Sequence, residues 1–304
     1  MKNKLAIISM LIGMLLIIGA CSAAASAPDA NLPDNQVPPV YPEEGIFPDP
    51  NLESAIRDAI DKPEGTILPS ELEGITSLQA SEKDITDLSG LEYCTNLTDL
   101  NLWDNRIRDI SPLAPLTNLT HLNVGHNQIS DILPLASLSS LIHLSLHENR
   151  ITDISPLASS TNLTELWLYD NQISDISPLA SLTNLKRLTL SENQLRDILS
   201  LASLSELTVV SLGYNQISDI SPLASLTNLT SLDLRRNGIT DITPLASLTN
   251  LGSIILGENQ ISDISLLMDF TRLEVVNLEE NPLNTESVNV YIPQLEKRGV
   301  SIHR

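Results

Sequence analysis

Asp99, His121, His143 and Glu165 follow one another at intervals of 22 residues, two imidazoles between two carboxylates. Such side chains hold Zn²⁺ when their donor atoms converge on one centre. Ser145 stands between His143 and His147, the one nucleophile-and-base grouping worth naming, with no oxyanion hole or strained turn visible beside it. Trp103, Trp167 and Tyr169 bracket the same stretch, which contains both tryptophans and four of the five histidines of the chain. Trp and Tyr dominate binding hot spots because each brings large, rigid contact area with a polar handle. Metal ligation, nucleophilic catalysis and ligand contact are therefore the chemistries open to these residues. Which is realised depends on how the backbone aims them.

The backbone is repetitive. Asn recurs at 105, 127, 149, 171, 193, 215, 237, 259 and 281, nine times at a period of 22, and Lys83 holds the same register in a degenerate tenth copy. Around each Asn runs the frame L-x-x-L-x-L-x-x-N-x-I-x-D-I, as in Leu97, Leu100, Leu102, Asn105, Ile107, Asp109 and Ile110. The alternation in Leu100-x-Leu102 predicts a short strand with its leucines inward and the intervening residues outward. Stacked in parallel about 4.8 Å apart, ten such strands make a sheet on the order of 45 Å long, with right-handed crossovers. Leu113, Leu116 and their successors fill the core from the opposite wall, where Cys94 takes a Leu place. Pro112, Pro134, Pro156, Pro178, Pro222 and Pro244 exclude a helix interior there, so the back wall should be 3₁₀ or irregular.

The frame resembles the short leucine-rich repeats of internalins and related bacterial surface proteins over about residues 71 to 284. The resemblance implies an α/β leucine-rich-repeat solenoid: a curved right-handed array of about ten 22-residue repeats with a parallel inner sheet and caps at both ends. A ladder Asn at each turn should satisfy backbone groups held away from water, and the Asp109 column, ahead of Ile-Ser-Pro-Leu-type segments, reads as N-caps. A Ca²⁺-binding role for that column lacks enough ligands per ion. Asp49 and Pro50 open a cap helix whose apolar face is Leu52, Ala55, Ile56, Ala59 and Ile60. Thr285 to Arg298 reads as a helix interrupted at Pro293, followed by an edge strand at Val300 and Ile302. No L-P-x-T-G sorting motif and no second domain after the cap are seen, a departure from the best-known internalins. Asn-Leu-Thr triplets at Asn96, Asn118, Asn162 and Asn228 read as repeat consensus rather than glycosylation sites.

Lys2 and Lys4 precede an apolar run from Leu5 to Gly19, the anatomy of a secretory signal. Ile18-Gly19-Ala20-Cys21 resembles a bacterial lipobox, which implies a diacylglyceryl Cys21 at the mature N-terminus. The expected organisation is a lipoprotein signal peptide at 1–20, lipidated Cys21 and a flexible tether to 45, an N-terminal cap at 46–76, repeats at 77–284 and a C-terminal cap at 285–304. The expected location is extracytoplasmic, lipid-anchored to a bacterial membrane at the cell surface. With Cys21 acylated, Cys94 is left without a disulfide partner. The formal charge of −21, more negative still once Lys2 and Lys4 are removed, disfavours nucleic acid and anionic membrane surfaces. Membrane contact is expected through the lipid alone.

Since the repeat fixes the structural columns, recognition must lie in the outward positions of the strands. The expected concave-face ligand residues are Asp99, Asn101, Trp103, His121, Asn123, His143, His147, Glu165, Trp167 and Tyr169, with Arg235 on the same face outside the cluster. A flat column points its side chains in parallel, against a metal centre, and an open sheet lacks the pocket an enzyme needs. The expectation is a monomeric, non-catalytic, cofactor-free scaffold for protein–protein interaction or adhesion. Glycan binding through Trp103, Trp167 and Tyr169 is the alternative, and a metal-dependent enzyme stands behind it.

Overall fold

The computed structural model describes residues 45–304; the leader, Cys21 and most of the tether lie outside the described residues. Eleven three-residue strands form one parallel sheet in chain order. They are β1 (Ser77–Gln79), β2 (Asp99–Asn101), β3 (His121–Asn123), β4 (His143–Ser145), β5 (Glu165–Trp167), β6 (Arg187–Thr189), β7 (Val209–Ser211), β8 (Ser231–Asp233), β9 (Ser253–Ile255), β10 (Val275–Asn277) and β11 (Ser301–His303). Every pairing from β1 to β10 keeps the sequence period, as in His121 opposite His143 and Ser145 opposite Trp167. The middle residue of each repeat strand, such as Leu100, Leu122, Leu144 and Leu166, is buried, so its neighbours project from the open face. The back wall is a stack of 3₁₀ turns, among them Ser111–Leu113, Leu133–Ser137 and Ser155–Ser159. Pro at the first or second position of these turns gives up an N–H that would have found no partner there.

The Asn ladder holds the turns. Asn171 Nδ2 donates to Leu146 O at 3.1 Å and Leu168 O at 3.2 Å, while its Oδ1 accepts from Ile151 N at 3.0 Å. One side chain thus ties its own repeat to its predecessor, and the pattern recurs from Asn105 to Asn281. A second Asn ladder runs elsewhere in the repeat: the Nδ2 groups of Asn96, Asn118, Asn162 and Asn228 donate to carbonyls 23 residues earlier. Those triplets have a structural duty, as read from the repeat. A third ladder links Ser137 and Ser181 to Ala114 O and Ala158 O. Because each bond crosses a repeat boundary, stability is shared between nearest neighbours.

Three local expectations need correction. The Asp109 column acts one residue before the cap: Ile110 holds the cap position, and Asp109 Oδ1 accepts the Ser111 N–H at 2.8 Å, an Asx turn that feeds the chain into the 3₁₀ segment. In α1 (Pro50–Ala59), Leu52, Ala55 and Ile56 are buried and Ile60 is half-buried, but Ala59 at the helix end is exposed. At the C-terminus the helical stretch is not interrupted at Pro293. A π-helical turn over Ser287–Tyr291 runs directly into the helix Ile292–Lys297, with Ile292 N donating five residues back to Ser287 O. The widened turn accommodates a proline that has no N–H to give.

Both ends are tied down. Asp49 caps α1 through Asn51 N and Leu52 N, and its other oxygen accepts from Thr86 N at 2.8 Å, joining the cap to the first repeat. Burial alone would raise its pKa, but the N–H groups of Thr86, Leu52 and Asp87 outweigh it and hold the carboxyl below its ordinary value. Phe47 packs where a side chain at Gly90 would stand, and Gly90 itself adopts φ +101. At the other end, Arg298 reaches back to Met268 O at 2.8 Å and also to Phe270 O. Cys94 lies in the core column as expected, its thiol pushed up to about 12 by burial and then by Glu92, which leaves it unreactive.

Candidate functional site

The first outward column places Asp99, His121, His143, Glu165 and Arg187 side by side on β2 to β6. The His121 and His143 rings stack, with centroids 4.6 Å apart and planes 18° from parallel. Ring nitrogens carry their lone pairs in the ring plane, so stacked imidazoles cannot both aim at an ion between them. His143 Nδ1 instead lies 3.6 Å from Glu165, which also faces Arg187 at 3.7 Å. Asp99 accepts from Gln79 Nε2 at 2.9 Å. Among the described residues, no group of three or more His, Cys, Asp or Glu is placed to hold a metal ion.

The second column carries Asn101, Asn123, Ser145 and Trp167. Asn101 and Asn123 turn their oxygens onto the N–H two residues on, Trp103 at 3.1 Å and Gly125 at 3.0 Å, closing the strand exits. Trp167 has no such duty and is 41% exposed. Seven of the ten expected ligand residues, namely Asp99, Asn101, His121, Asn123, His143, Glu165 and Trp167, line a single recess of about 310 Å³ on the open face. Gln79 and Ser145 also line the recess, with Leu100, Leu122 and Leu144 of the strands. Gln79 escaped the sequence reading because it sits in the degenerate first repeat, where Lys83 replaces the ladder Asn.

Trp103, His147 and Tyr169 form a ledge beside the recess rather than part of its wall. His147 is only 5% exposed, so it supports this surface more than it presents itself. Its ring stacks on Tyr169 at 4.5 Å and 16°, and stands 6.3 Å from the Trp167 ring. The ring fills the space over Gly125, where a Cβ would fall 2.3 Å from its Cε1. Burial holds the imidazole below its ordinary pKa, with Glu148 opposing and His126 adding. Trp103 leans on His126, whose Nδ1 meets Asp104 at 2.9 Å. Tyr169 is raised, first by burial and then by Glu148, whose carboxylate lies 3.4 Å from the hydroxyl.

Ser145 Oγ and His147 Nδ1 are 2.6 Å apart, a true hydrogen bond. As a nucleophile the pair is poorly served. Ser145 is 7% exposed, and the N–H groups of Leu146 and Glu148 are engaged by Trp167 O and Tyr169 O, so neither is free for an oxyanion. What the bond does is fix the His147 ring beneath the aromatic ledge.

The column one before each ladder Asn, outward-facing in the sequence, has a backbone conformation the sequence does not announce. The residue before each ladder Asn, including Asp104, His126, Glu148, Asp170, Glu192, Tyr214 and Arg236, has φ between +51 and +56. None is glycine, although glycine adopts this conformation without steric cost. Position in the repeat was the only signal, since the residue types show no turn preference.

Against known proteins, a family model described as leucine rich repeats (2 copies) matches residues 74–115, 117–159, 161–203 and 205–247. Among solved structures, an internalin (InlF) of Listeria monocytogenes superposes with a TM-score of 0.70 and 37% identity, covering 85% of this chain and 89% of its own. Internalin C2 of the same organism gives a TM-score of 0.68 and 44% identity, covering 69% and 94%. Internalin C of Listeria monocytogenes is 33% identical over 99 residues, and the match spans about a third of its length (32%).

Proposed function

This chain belongs to the bacterial internalin-like leucine-rich-repeat family, and on that premise we propose that it is a non-catalytic cell-surface scaffold binding a protein ligand through the open sheet face, in protein–protein interaction or adhesion. The carrying observation is that an exposed Trp167 borders the recess on β2 to β5, on a face whose other outward residues are mostly small or polar. The ladders absorb the backbone groups, so Trp167 has no structural task to explain it. An aromatic ring at a recess is what a buried anchor of a partner needs.

The reading extends to location. Cys21 carries the lipid and residues 22–45 form the tether, which leaves the solenoid outside the cytoplasm and monomeric at the surface. Cys21→Ser should then release the protein from membranes in cell fractionation with its melting curve unchanged; retention in the membrane fraction removes the lipid as anchor.

A random-peptide display selection on the immobilised protein tests the binding face. Enriched peptides should compete with one another and lose their hold on Trp167→Ala. Peptides indifferent to Trp167→Ala place the contact elsewhere. Failure of every peptide, with capture of an oligosaccharide instead, favours the glycan alternative, for which Trp167 would serve as the stacking platform beside Asp99, Asn123 and Glu165.

A further inference from the structure

We propose that the occupant of this face is a cationic polypeptide segment, extended across β2 to β6 with an Arg or Lys against Trp167. The proposal rests on the reading of the open face as the binding face and adds the chemistry of what lies there. From β2 to β6 the rim column carries Asp104, Glu148, Asp170 and Glu192, and the first strand column adds Asp99 and Glu165, against the single cation Arg187. The acids therefore outnumber the fixed bases six to one on this half of the face, beside an exposed indole that accepts a cation on its π surface.

The other half of the sheet is arranged differently. There Arg236 faces Glu258 at 3.8 Å, and Arg235 lies in the field of Asp233 and Glu258. Four acids, Asp233, Glu258, Glu279 and Glu280, stand there against Arg235 and Arg236, two to one rather than six to one. Around the recess Glu165 shares Arg187 and Asp104 and Glu148 meet only the His126 ring, while Asp170 and Glu192 have no cation within ion-pair distance among the described residues. Two occupants from the chain itself are excluded by the same physics. Residues 22–45 contain acids but no Lys or Arg, and a second copy would bring another formal charge of −21. Like charges opposed across a contact repel. A foreign segment rich in Arg or Lys is the complementary partner. Five repeats at about 4.8 Å spacing match about seven extended residues at roughly 3.3 Å each.

The test uses the purified full-length chain and three probes: a ten-residue alternating Arg-Ser peptide, its Glu-Ser counterpart and a chitin hexasaccharide. Both tryptophans of the protein lie on this face, so intrinsic fluorescence reports binding directly. The Arg-Ser peptide should bind, more weakly as salt rises, and the other two should not. Asp104→Lys/Glu148→Lys/Asp170→Lys should weaken it at least about thirtyfold, the factor that 2 kcal/mol represents. The neutral set Asp104→Asn/Glu148→Gln/Asp170→Asn should give a smaller loss in the same direction, without reversing charge beside His126 and Tyr169. Asp58→Lys/Glu206→Lys/Glu296→Lys changes net charge equally at exposed positions outside these columns and should cost less than about threefold. Equal losses in the two lysine sets, or no binding of the Arg-Ser peptide, overturn the proposal. Display-selected neutral peptides that still depend on Trp167 would sink the cationic partner while leaving the binding face in place.

Discussion

Replacing Asn171 with alanine removes the side chain that joins two adjacent repeats in the middle of the array. The magnitude follows from what each partner has left. Leu146 O keeps a bond from Asn149 Nδ2 at 3.0 Å, and Leu168 O keeps one from Asn193 Nδ2 at 3.0 Å, so each carbonyl is halved rather than orphaned. Ile151 N–H is different: Asn171 Oδ1 is its acceptor at 3.0 Å in a buried setting. One orphaned donor costs about 2 kcal/mol and each weakened carbonyl about 0.5 kcal/mol, roughly 3 kcal/mol together. For a folded region of this size that lowers the melting midpoint by about 6–12 °C. Asn281→Ala is the comparison, since that side chain is only partly buried and water can replace it; its midpoint should fall by no more than about 4 °C. Thermal melts followed by far-ultraviolet circular dichroism measure both. A shift below about 2 °C for Asn171→Ala, or equal shifts for the pair, would refute the claim that the ladder amides satisfy buried backbone.

Ser160 is 1% exposed in a column otherwise filled largely by leucine, and its hydroxyl has no hydrogen-bond partner; Ser160→Ala should raise stability by about 1 kcal/mol in urea unfolding, and destabilisation would mean the hydroxyl is satisfied. Gly125→Ala drives a Cβ into the His147 ring, so it should cost about 1–3 kcal/mol and shift the tryptophan emission, whereas an unchanged spectrum would show the ledge does not depend on that contact. His147 is held below its ordinary value of 6.5 chiefly by burial. The folded state therefore favours the neutral ring, and the His147 contribution is fully present above about pH 6.5 and is lost as the pH falls below it. Urea midpoints of wild type and His147→Gln should converge between pH 7.5 and pH 5; a constant gap contradicts the assignment.

The repeat made most of the fold legible. Period 22 at Asn105 to Asn281 located the strands, the buried leucines and the turn ladder, because one unsatisfied turn per repeat forces one residue type into one register. The last strand was equally readable from Val300 and Ile302. What escaped depended on geometry that residue types do not carry. The left-handed column at Asp104 to Arg236 tolerates acid, aromatic and base alike, so composition gives no sign of it. Pro293 signals a break in sequence, yet a five-residue turn accommodates it. Within the candidate site, outward alternation identified most of the recess wall, but the reach of a side chain is not written in alternation. His147 occupies an outward column and still lies buried, because Gly125 in the neighbouring repeat leaves a seat for its ring and Tyr169 covers it.

The central claim is that a partner anchors locally at the recess. With a peptide selected on the protein in hand, calorimetric titration of Trp167→Ala against Arg235→Ala tests it most directly, since both residues lie on the open face and only one borders the recess. Trp167→Ala should cost 2 kcal/mol or more, roughly the loss of a buried aromatic anchor, and Arg235→Ala less than about 1 kcal/mol. Equal losses at both positions, or none at Trp167, would contradict it.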